Sequence, residues 1–562
     1  MLRVSILLCL LSPTLFCYGA SNQSEEWWRD TFIYQIYPRS FKDSNGDGIG
    51  DLNGITSKLE HLADIGVSAL WISPIYKSPM VDFGYDIANF TDIDPVFGNF
   101  TDFAKLVAKA KTLGVKVLLD FVPNHSSDKH PWFLKSIQKI KPYDEYYIWK
   151  DAKMLNGTRR PPNNWLSIFQ GSAWQWNDQR KQYYLHQFAV GQPDLNYRNP
   201  ALCEEMKNVL RFWLRLGLDG FRIDTIPNLV EDNRFLDEPR LPNTGLPDTD
   251  PNTLQHIYTV DQNETYDVLK TWREVLDETK GTKKLFLTEA YTDLQHLVKF
   301  YKYGSNIPFN FMFMGDLNNR SSTVDFKRAM DKYLNAIPPG ETPNWVVGNH
   351  DQNRISWRFG VRRSDWLSMI AAVLPGVGVI YNGDEIGMEN RPLSYAETVD
   401  PAGCNAGPNR YTLYSRDPAR TPFQWDNTTS AGFSTSNKTW LPVNSNYKTL
   451  NLQAQKRVLN SHYNIFKKLV QLKKNPIVKE GSTEIIIVQS VLGVVRRLPG
   501  RNPIVLLLSL NIGNTVTDVS AWMNIPDRMT VYAADAGSGI TPGSSVNLTR
   551  FNIPGSASII FV

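Results

Sequence analysis

The chain has 562 residues, too many for one compact core, so two or three domains are expected. Apolar residues make up 42% and charged residues 21%, the balance of a globular protein, and 60 basic against 56 acidic side chains leave a net charge of only +4. So small an excess excludes an electrostatic case for nucleic acid. Aromatic content is 12%, with 16 Trp, which suits sugar binding and equally suits a core.

Residues 1–19 read as a signal peptide: Arg3 supplies the charge, Val4 to Phe16 the apolar stretch, and Cys17 to Ala20 the cleavage region. The run is too short to span a bilayer and contains Pro13. The C-terminal Ser556 to Val562 reads as a strand without the longer tail of a lipid-anchor signal. A secreted, extracellular protein with no membrane anchor is expected. Asn-X-Ser/Thr sequons at Asn22, Asn89, Asn99, Asn156, Asn263, Asn319, Asn427, Asn437 and Asn547, and formally at Asn124, fit a glycoprotein. Cys203 and Cys404 remain after cleavage, and their spacing gives no reason to pair them.

Phe32 to Tyr37 has strand length and is followed by a polar loop, Asp43 to Asp51. Asp43, Asn45, Asp47 and Asp51 place side-chain oxygens, and Ile49 a carbonyl, where a short loop can wrap a hard cation such as Ca²⁺. Gly54 stands where an EF-hand needs Glu, so the loop is not an EF-hand, and a cluster of Asx turns without metal is the alternative. A helix over 55–65, a strand over 69–72, a helix over 101–113 and a strand over 115–120 follow. Polar residues gather after each strand: Asp82, Tyr85 and Asp86, then Asn124 and His125. Strands alternating with helices indicate a parallel α/β sheet or barrel, and in a barrel the catalytic groups lie at the C-terminal strand ends.

The rhythm stops over 126–192, rich in Trp, Tyr, Pro and Asn, which reads as a small inserted domain with short strands. A helix over 203–216 then feeds Gly220-Phe-Arg-Ile-Asp224. Arg222 and Asp224 share one face of a strand, so the guanidinium can hold the carboxylate ionised. That suits a prepared nucleophile or a structural ion pair. Glu289 ends the next strand, after a loop over 232–262 and a helix over 266–279. A sixth strand is expected at Pro308, a seventh ends at His350 and Asp351, and an eighth lies over 378–381. A polar excursion over 387–451 carries Arg416 and Arg420, a helix over 460–474 ends the barrel, and short alternating runs indicate an all-β C-terminal domain. The expected division is a (β/α)8 barrel over 27–125 and 193–476, an insertion over 126–192 and a C-terminal β-sandwich over 477–562.

Asp224, Glu289 and Asp351 thus stand at three strand ends. Converging carboxylates suit glycoside hydrolysis, one attacking the anomeric centre and another protonating the leaving oxygen. A zinc hydrolase is disfavoured, since there is no His-x₃-His pair or Cys cluster.

Six motifs in order carry a resemblance: Asp120-Phe-Val-Pro-Asn-His125, Gln192-Pro-Asp-Leu-Asn196, Gly220-Phe-Arg-Ile-Asp224, Thr288-Glu289-Ala, Asn349-His-Asp351 and Gly383-Asp-Glu-Ile-Gly387. The chain resembles the α-amylase superfamily, glycoside hydrolase family 13, and within it the α-glucosidases that include insect maltases. The resemblance implies a retaining α-glucosidase acting on a small oligosaccharide. Asp224 would be the nucleophile, Glu289 the acid and base, and Asp351 the holder of ring hydroxyls. His125 and His350 would bind glucose hydroxyls, Arg222 would orient Asp224, Asp82 and Arg416 would close the pocket, and Tyr85 would offer its ring. Arg420 is a second candidate beside Arg416, and Asp86 would hold its loop. The family's loop metal would match Asp43, Asn45, Asp47, Ile49 and Asp51 as a Ca²⁺ site. Relatives that prefer α-1,6 bonds tend to carry Val after the nucleophile, so Thr225 implies α-1,4 substrates such as maltose, or sucrose. A catalytically silent binding protein and a transglucosidase or sucrose isomerase are the alternatives. Oligomeric state is not legible.

Overall fold

The computed structural model describes residues 26–562; the signal-peptide expectation for 1–19, Cys9, Cys17 and the Asn22 sequon lie outside them. Eight parallel strands form a barrel: β1 (Phe32–Ile36), β2 (Ala69–Ile72), β3 (Lys116–Phe121), β4 (Gly220–Ile223), β5 (Leu285–Thr288), β6 (Ile307–Pro308), β7 (Asn344–Val346) and β8 (Val377–Tyr381). They form one sheet in the order β6-β5-β4-β3-β2-β1-β8-β7.

The strands hold their register because their side chains alternate between two apolar layers. Ile33, Ala69, Trp71, Leu118, Leu285, Leu287, Val346, Val377 and Val379 fill the barrel interior. Phe32, Tyr34, Val117, Leu119, Phe221, Ile223 and Phe286 face the surrounding helices. A slip of one residue would drive Arg222 into the helix layer and expel Phe221 and Ile223. Entry into β4 demands glycine, since a Cβ at Gly220 would lie 2.1 Å from the Leu285 carbonyl oxygen.

The seam between β6 and β7 carries no strand ladder, and Pro308 has no N–H to offer one. Side chains join it instead. Asn344 Nδ2 donates to the Pro308 carbonyl (2.6 Å), and its Oδ1 accepts from the Asn310 N–H (2.8 Å).

Most expected elements lie within a few residues of their predicted bounds. The helix expected over 55–65 divides at Lys58 into Leu52–Ser57 and Leu59–Ile65. There the Thr56 and Ser57 hydroxyls bond to the Leu52 and Gly54 carbonyls, a back-bonding that bends helices. Among the described residues, three helices of at least eight residues escape the sequence reading: Leu294–Lys302, Thr323–Ala336 and Trp366–Val373. The last is buried on every side, so it shows no amphipathic period to detect.

The insertion contains a three-stranded antiparallel sheet, with Gln182–Leu185 between Trp149–Lys150 and Trp174–Asn177. It also holds a hairpin turning on Asn156-Gly157, both at positive φ, as a tight hairpin turn requires. The C-terminal region forms a six-stranded antiparallel sheet and a separate two-stranded ribbon. One face of that sheet joins the main core through Leu492, Val494 and Leu506; the other builds its own core from Val491, Val505 and Leu507.

Candidate active site

The C-terminal ends of the strands bring the predicted carboxylates to one cavity of about 510 Å³, whose wall includes Asp224, Glu289 and Asp351. Asp82, Tyr85, His125, His350 and Arg416 also reach that wall. Tyr291 and Ile168, both partly exposed, mark its open side, beside Phe169 and Phe188.

Arg222 lies behind the wall and organises it. Strand pairing sets Arg222 opposite Asp120 of β3. Its Nη1 donates to Asp120 (2.8 Å) and to Asp224, and its Nη2 pairs with Glu289 (2.6 Å). All four side chains are buried. One guanidinium therefore holds two carboxylates of the wall on adjacent nitrogens, and the Trp71 ring lies 4.9 Å beneath it. Asp120 also accepts from Tyr85 OH (3.0 Å) and Trp71 Nε1 (3.3 Å).

Three buried carboxylates around one cation cannot all ionise cheaply. Burial raises Glu289 to about 8, against the pull of Arg222. Burial likewise raises Asp224 and Asp120 to about 7, with Arg222 opposing. The three carboxyls around Arg222 therefore hold protons into the neutral range as one coupled group, a setting that can supply an acid and a nucleophile side by side. The other Glu289 oxygen accepts the Thr225 N–H (2.9 Å), which ties the acid to the strand end carrying Asp224. Thr225 has left-handed backbone, φ 39° and ψ 42°, a strained conformation for a β-branched residue, and its hydroxyl is buried without a partner.

Asp351 behaves oppositely. Burial would raise it, but the cations of Arg416 and Arg420 facing it outweigh burial and hold it well below the usual carboxylate range. Its Oδ1 accepts from Arg416 (3.2 Å) and Arg420 (2.9 Å). Burial drives His350 well below its ordinary value, so the ring is neutral at pH 7. It stacks on Tyr85 (5.3 Å, 7°) and on Tyr37, while the Gln35 amide lies 2.8 Å from Nδ1. His125 is lowered to about 3 by burial and is also neutral. Its Nδ1 faces Asn124 Oδ1 (3.0 Å) and its Nε2 faces the Gln192 amide (3.1 Å), which leaves Nε2 as the acceptor. Asp82 pairs with Arg416 (2.8 Å) across the cavity wall.

Arg420 is fully buried and does not reach the cavity; it grips Asp351 and the His350 carbonyl. Asp86 accepts from Ser78 Oγ and from the N–H groups of Val81 and Asp82, holding its loop. Sequence reasoning passed over Asp120 as a partner of Arg222, although the register of β3 against β4 dictates it. It also passed over Asp400, Phe169, Phe188 and Tyr291, which come from loops and the insertion and carry no periodic signal.

Asp43, Asn45, Asp47, Ile49 and Asp51 occupy one loop following β1, with Asn45 and Asp47 exposed and Asp43 and Asp51 buried. Asp43 accepts from the N–H groups of Asn45, Gly46 and Gly48, and Asp51 from those of Ser44 and Gly54. Asn45 and Asp47 each accept the N–H two residues on. These are Asx turns. Among the described residues, no three His, Cys, Asp or Glu side chains converge as a ready metal cluster. The donor set is entirely oxygen, the type a hard cation takes, while both Asp43 oxygens and Asp51 Oδ1 already accept two hydrogen bonds each. Cys203 and Cys404 are unpaired, and Cys203 donates to the Tyr197 carbonyl. No helix among the described residues is long and apolar enough to cross a membrane.

Residues 35–481 match the family model described as alpha amylase, catalytic domain. The chain is 47% identical over 540 residues to an alpha-glucosidase of Apis mellifera, covering 96% of this chain and 95% of that protein. It is 46% identical over 562 residues to Maltase A1 of Drosophila melanogaster, covering 97% and 96%. The crystal structure of an alpha-glucosyl transfer enzyme superposes with a TM-score of 0.83 at 32% identity, over 95% of this chain and 99% of the other.

Proposed function

The chain belongs to the alpha-amylase family and is a glycoside hydrolase; from that premise we propose that it is a retaining, exo-acting α-glucosidase that removes terminal glucose from maltose, sucrose or short α-1,4-linked oligosaccharides. The observation that carries the reading is the single guanidinium of Arg222 holding Asp224 and Glu289 side by side at the cavity wall. Carboxyls so placed suit the retaining separation of about 5 Å.

Asp224 would attack C1 and form the glycosyl ester as the glycosidic bond breaks. The leaving oxygen would take the proton from Glu289, whose affinity for a proton burial raises. Glu289, now a carboxylate, would remove a proton from the water that attacks C1 and frees Asp224. Asp351, ionised and braced by two arginines, would accept hydrogen bonds from ring hydroxyls. Neutral His125 and His350 would bind hydroxyls without adding charge, and the Asp82–Arg416 pair would cap the non-reducing end. A silent binding protein would have no need of this charge balance. Transfer of glucose to a sugar acceptor would use the same residues, and the superposed transfer enzyme favours testing it.

The deciding experiment is product analysis on maltose, sucrose and isomaltose, with the anomer followed by NMR, for the wild type and Asp224→Ala. The reading predicts β-face chemistry through Asp224, release of α-glucose and loss of activity in the variant. Undiminished activity in Asp224→Ala overturns it. Comparable turnover of isomaltose and maltose would remove the α-1,4 preference drawn from Thr225.

Two further parts belong to this proposal. Asp43, Asn45, Asp47, Asp51 and the Ile49 carbonyl would hold a structural Ca²⁺, supported by the all-oxygen donor set; a melting temperature unchanged by chelator would refute it. Secretion through residues 1–19 would deliver a glycoprotein, and the secreted fraction of a full-length expression tests it. Asn124 is buried and donates to the Asn228 carbonyl, which rules that sequon out as an acceptor in the folded chain.

A further inference from the structure

We propose that Asp400, buried on the far side of Arg416 from the cavity, is the positioning residue that sets the exo-specificity of this site. The inference rests on the α-glucosidase reading and extends it to a residue outside the cavity wall.

Arg416 carries five N–H donors in a rigid fork. Asp400 takes the Nε donor (3.0 Å) and one Nη2 donor (2.6 Å), and it also accepts the Arg416 backbone N–H (2.7 Å). The second Nη2 donor goes to Asp82 (2.8 Å) and one Nη1 donor goes to Asp351 (3.2 Å). A single Nη1 donor is left by these contacts, and Arg416 itself lines the cavity. That donor is the one free to meet a hydroxyl of the terminal glucose. Asp400 itself is fully buried and is absent from the cavity wall, so it acts only through Arg416.

The hold is reciprocal. The carboxylate of Asp417, next to Arg416, accepts the N–H groups of Val399 (2.8 Å) and Asp400 (3.0 Å). Two loop segments 17 and 18 residues apart at these bonds are thereby locked in one register, and the Phe169 ring lies 4.9 Å from the guanidinium. Arg416 is thus a bar across the site, pinned at one edge by Asp400 and bridged to Asp82 at its tip. If the bidentate clamp is lost, the guanidinium is free to turn towards Asp82 and Asp351, and the bar that stops a longer chain is loosened.

Asp400→Asn tests this on the full chain, with maltose and with a maltooligosaccharide blocked at its non-reducing end. Release of glucose from maltose by the wild type tests the α-glucosidase reading separately. Loss of a charge-assisted bidentate contact is expected to raise KM for maltose at least about tenfold, with a smaller change in kcat. Cleavage of the blocked substrate, absent in the wild type, is expected to appear. Asp417→Asn, which keeps the acceptor for the loop N–H groups, should leave both readouts near wild type. Arg416→Lys, which keeps the charge but not the fork, should reproduce the Asp400→Asn behaviour even if that variant fails to fold. A KM within about twofold of wild type in folded Asp400→Asn, or blocked-substrate activity absent from both Asp400→Asn and Arg416→Lys, overturns the proposal.

Discussion

Replacing Arg222 with Met removes the cation that Asp120, Asp224 and Glu289 share. With the guanidinium present, burial already raises Asp224 to about 7 and Glu289 to about 8. A cation this close lowers a carboxyl pKa by about 1–3, so its loss should cut the ionised share of Asp224 at pH 7 roughly 5- to 500-fold. The acid limb of kcat/KM should move up in pH, because the base that must be ionised becomes harder to ionise. The cluster titrates as a unit, so the limb reports the group and not one residue. Stability should change as well, since removing one partner of a buried ion pair costs about 3–5 kcal/mol. The sign with pH follows from the raised carboxyls: the folded state holds protons that the unfolded chain releases near pH 4. Stability of Arg222→Met should therefore fall as pH rises from about 4, and acid should restore part of it. The assay is a pH series of maltose hydrolysis from acid to alkaline, with thermal unfolding in the same buffers. An unmoved acid limb with wild-type activity at pH 7 would refute the shared-cation account.

Two other outcomes are expected. Thr225→Gly removes a β-branched residue from left-handed backbone, worth about 1–3 kcal/mol of strain, against about 0.5–1 kcal/mol of glycine entropy; urea unfolding should show stability equal to or above wild type, while kcat falls because the Thr225 N–H no longer holds Glu289 as firmly. Lys473 is fully buried and donates to the carbonyls of Ala371 and Leu374 at the end of the helix Trp366–Val373. Burial lowers it to about 7, so between pH 7 and 10 the unfolded chain binds the extra proton and this lysine's contribution to stability rises with pH. Lys473→Met should lose about 2 kcal/mol or more from the orphaned carbonyls, and the difference from wild type should widen across that pH range in calorimetry.

The barrel strands and the three carboxylates were legible because they follow local rules. A strand of alternating side chains buried on both faces announces itself by composition, and period 2 alone puts Arg222 beside Asp224. Elements too uniformly apolar to show a period, such as the helix Trp366–Val373, were not legible in the same way.

What the sequence determined by itself, then, was which groups stand at the strand ends and in what order. The helix–strand rhythm, Gly220 at the entry to β4 and the polar residues after each strand are local facts of the chain. Tertiary structure decided what those groups do to one another. Only the register of β3, β4 and β5 places Asp120, Asp224 and Glu289 around one guanidinium, and only the folded charge environment separates Glu289, raised by burial, from Asp351, held down by Arg416 and Arg420. Asp400 shows the limit most clearly, since it lies in an irregular loop and acts through Arg416, 16 residues further on. Charge and desolvation depend on distance in space, and a linear chain carries no record of that distance until it folds.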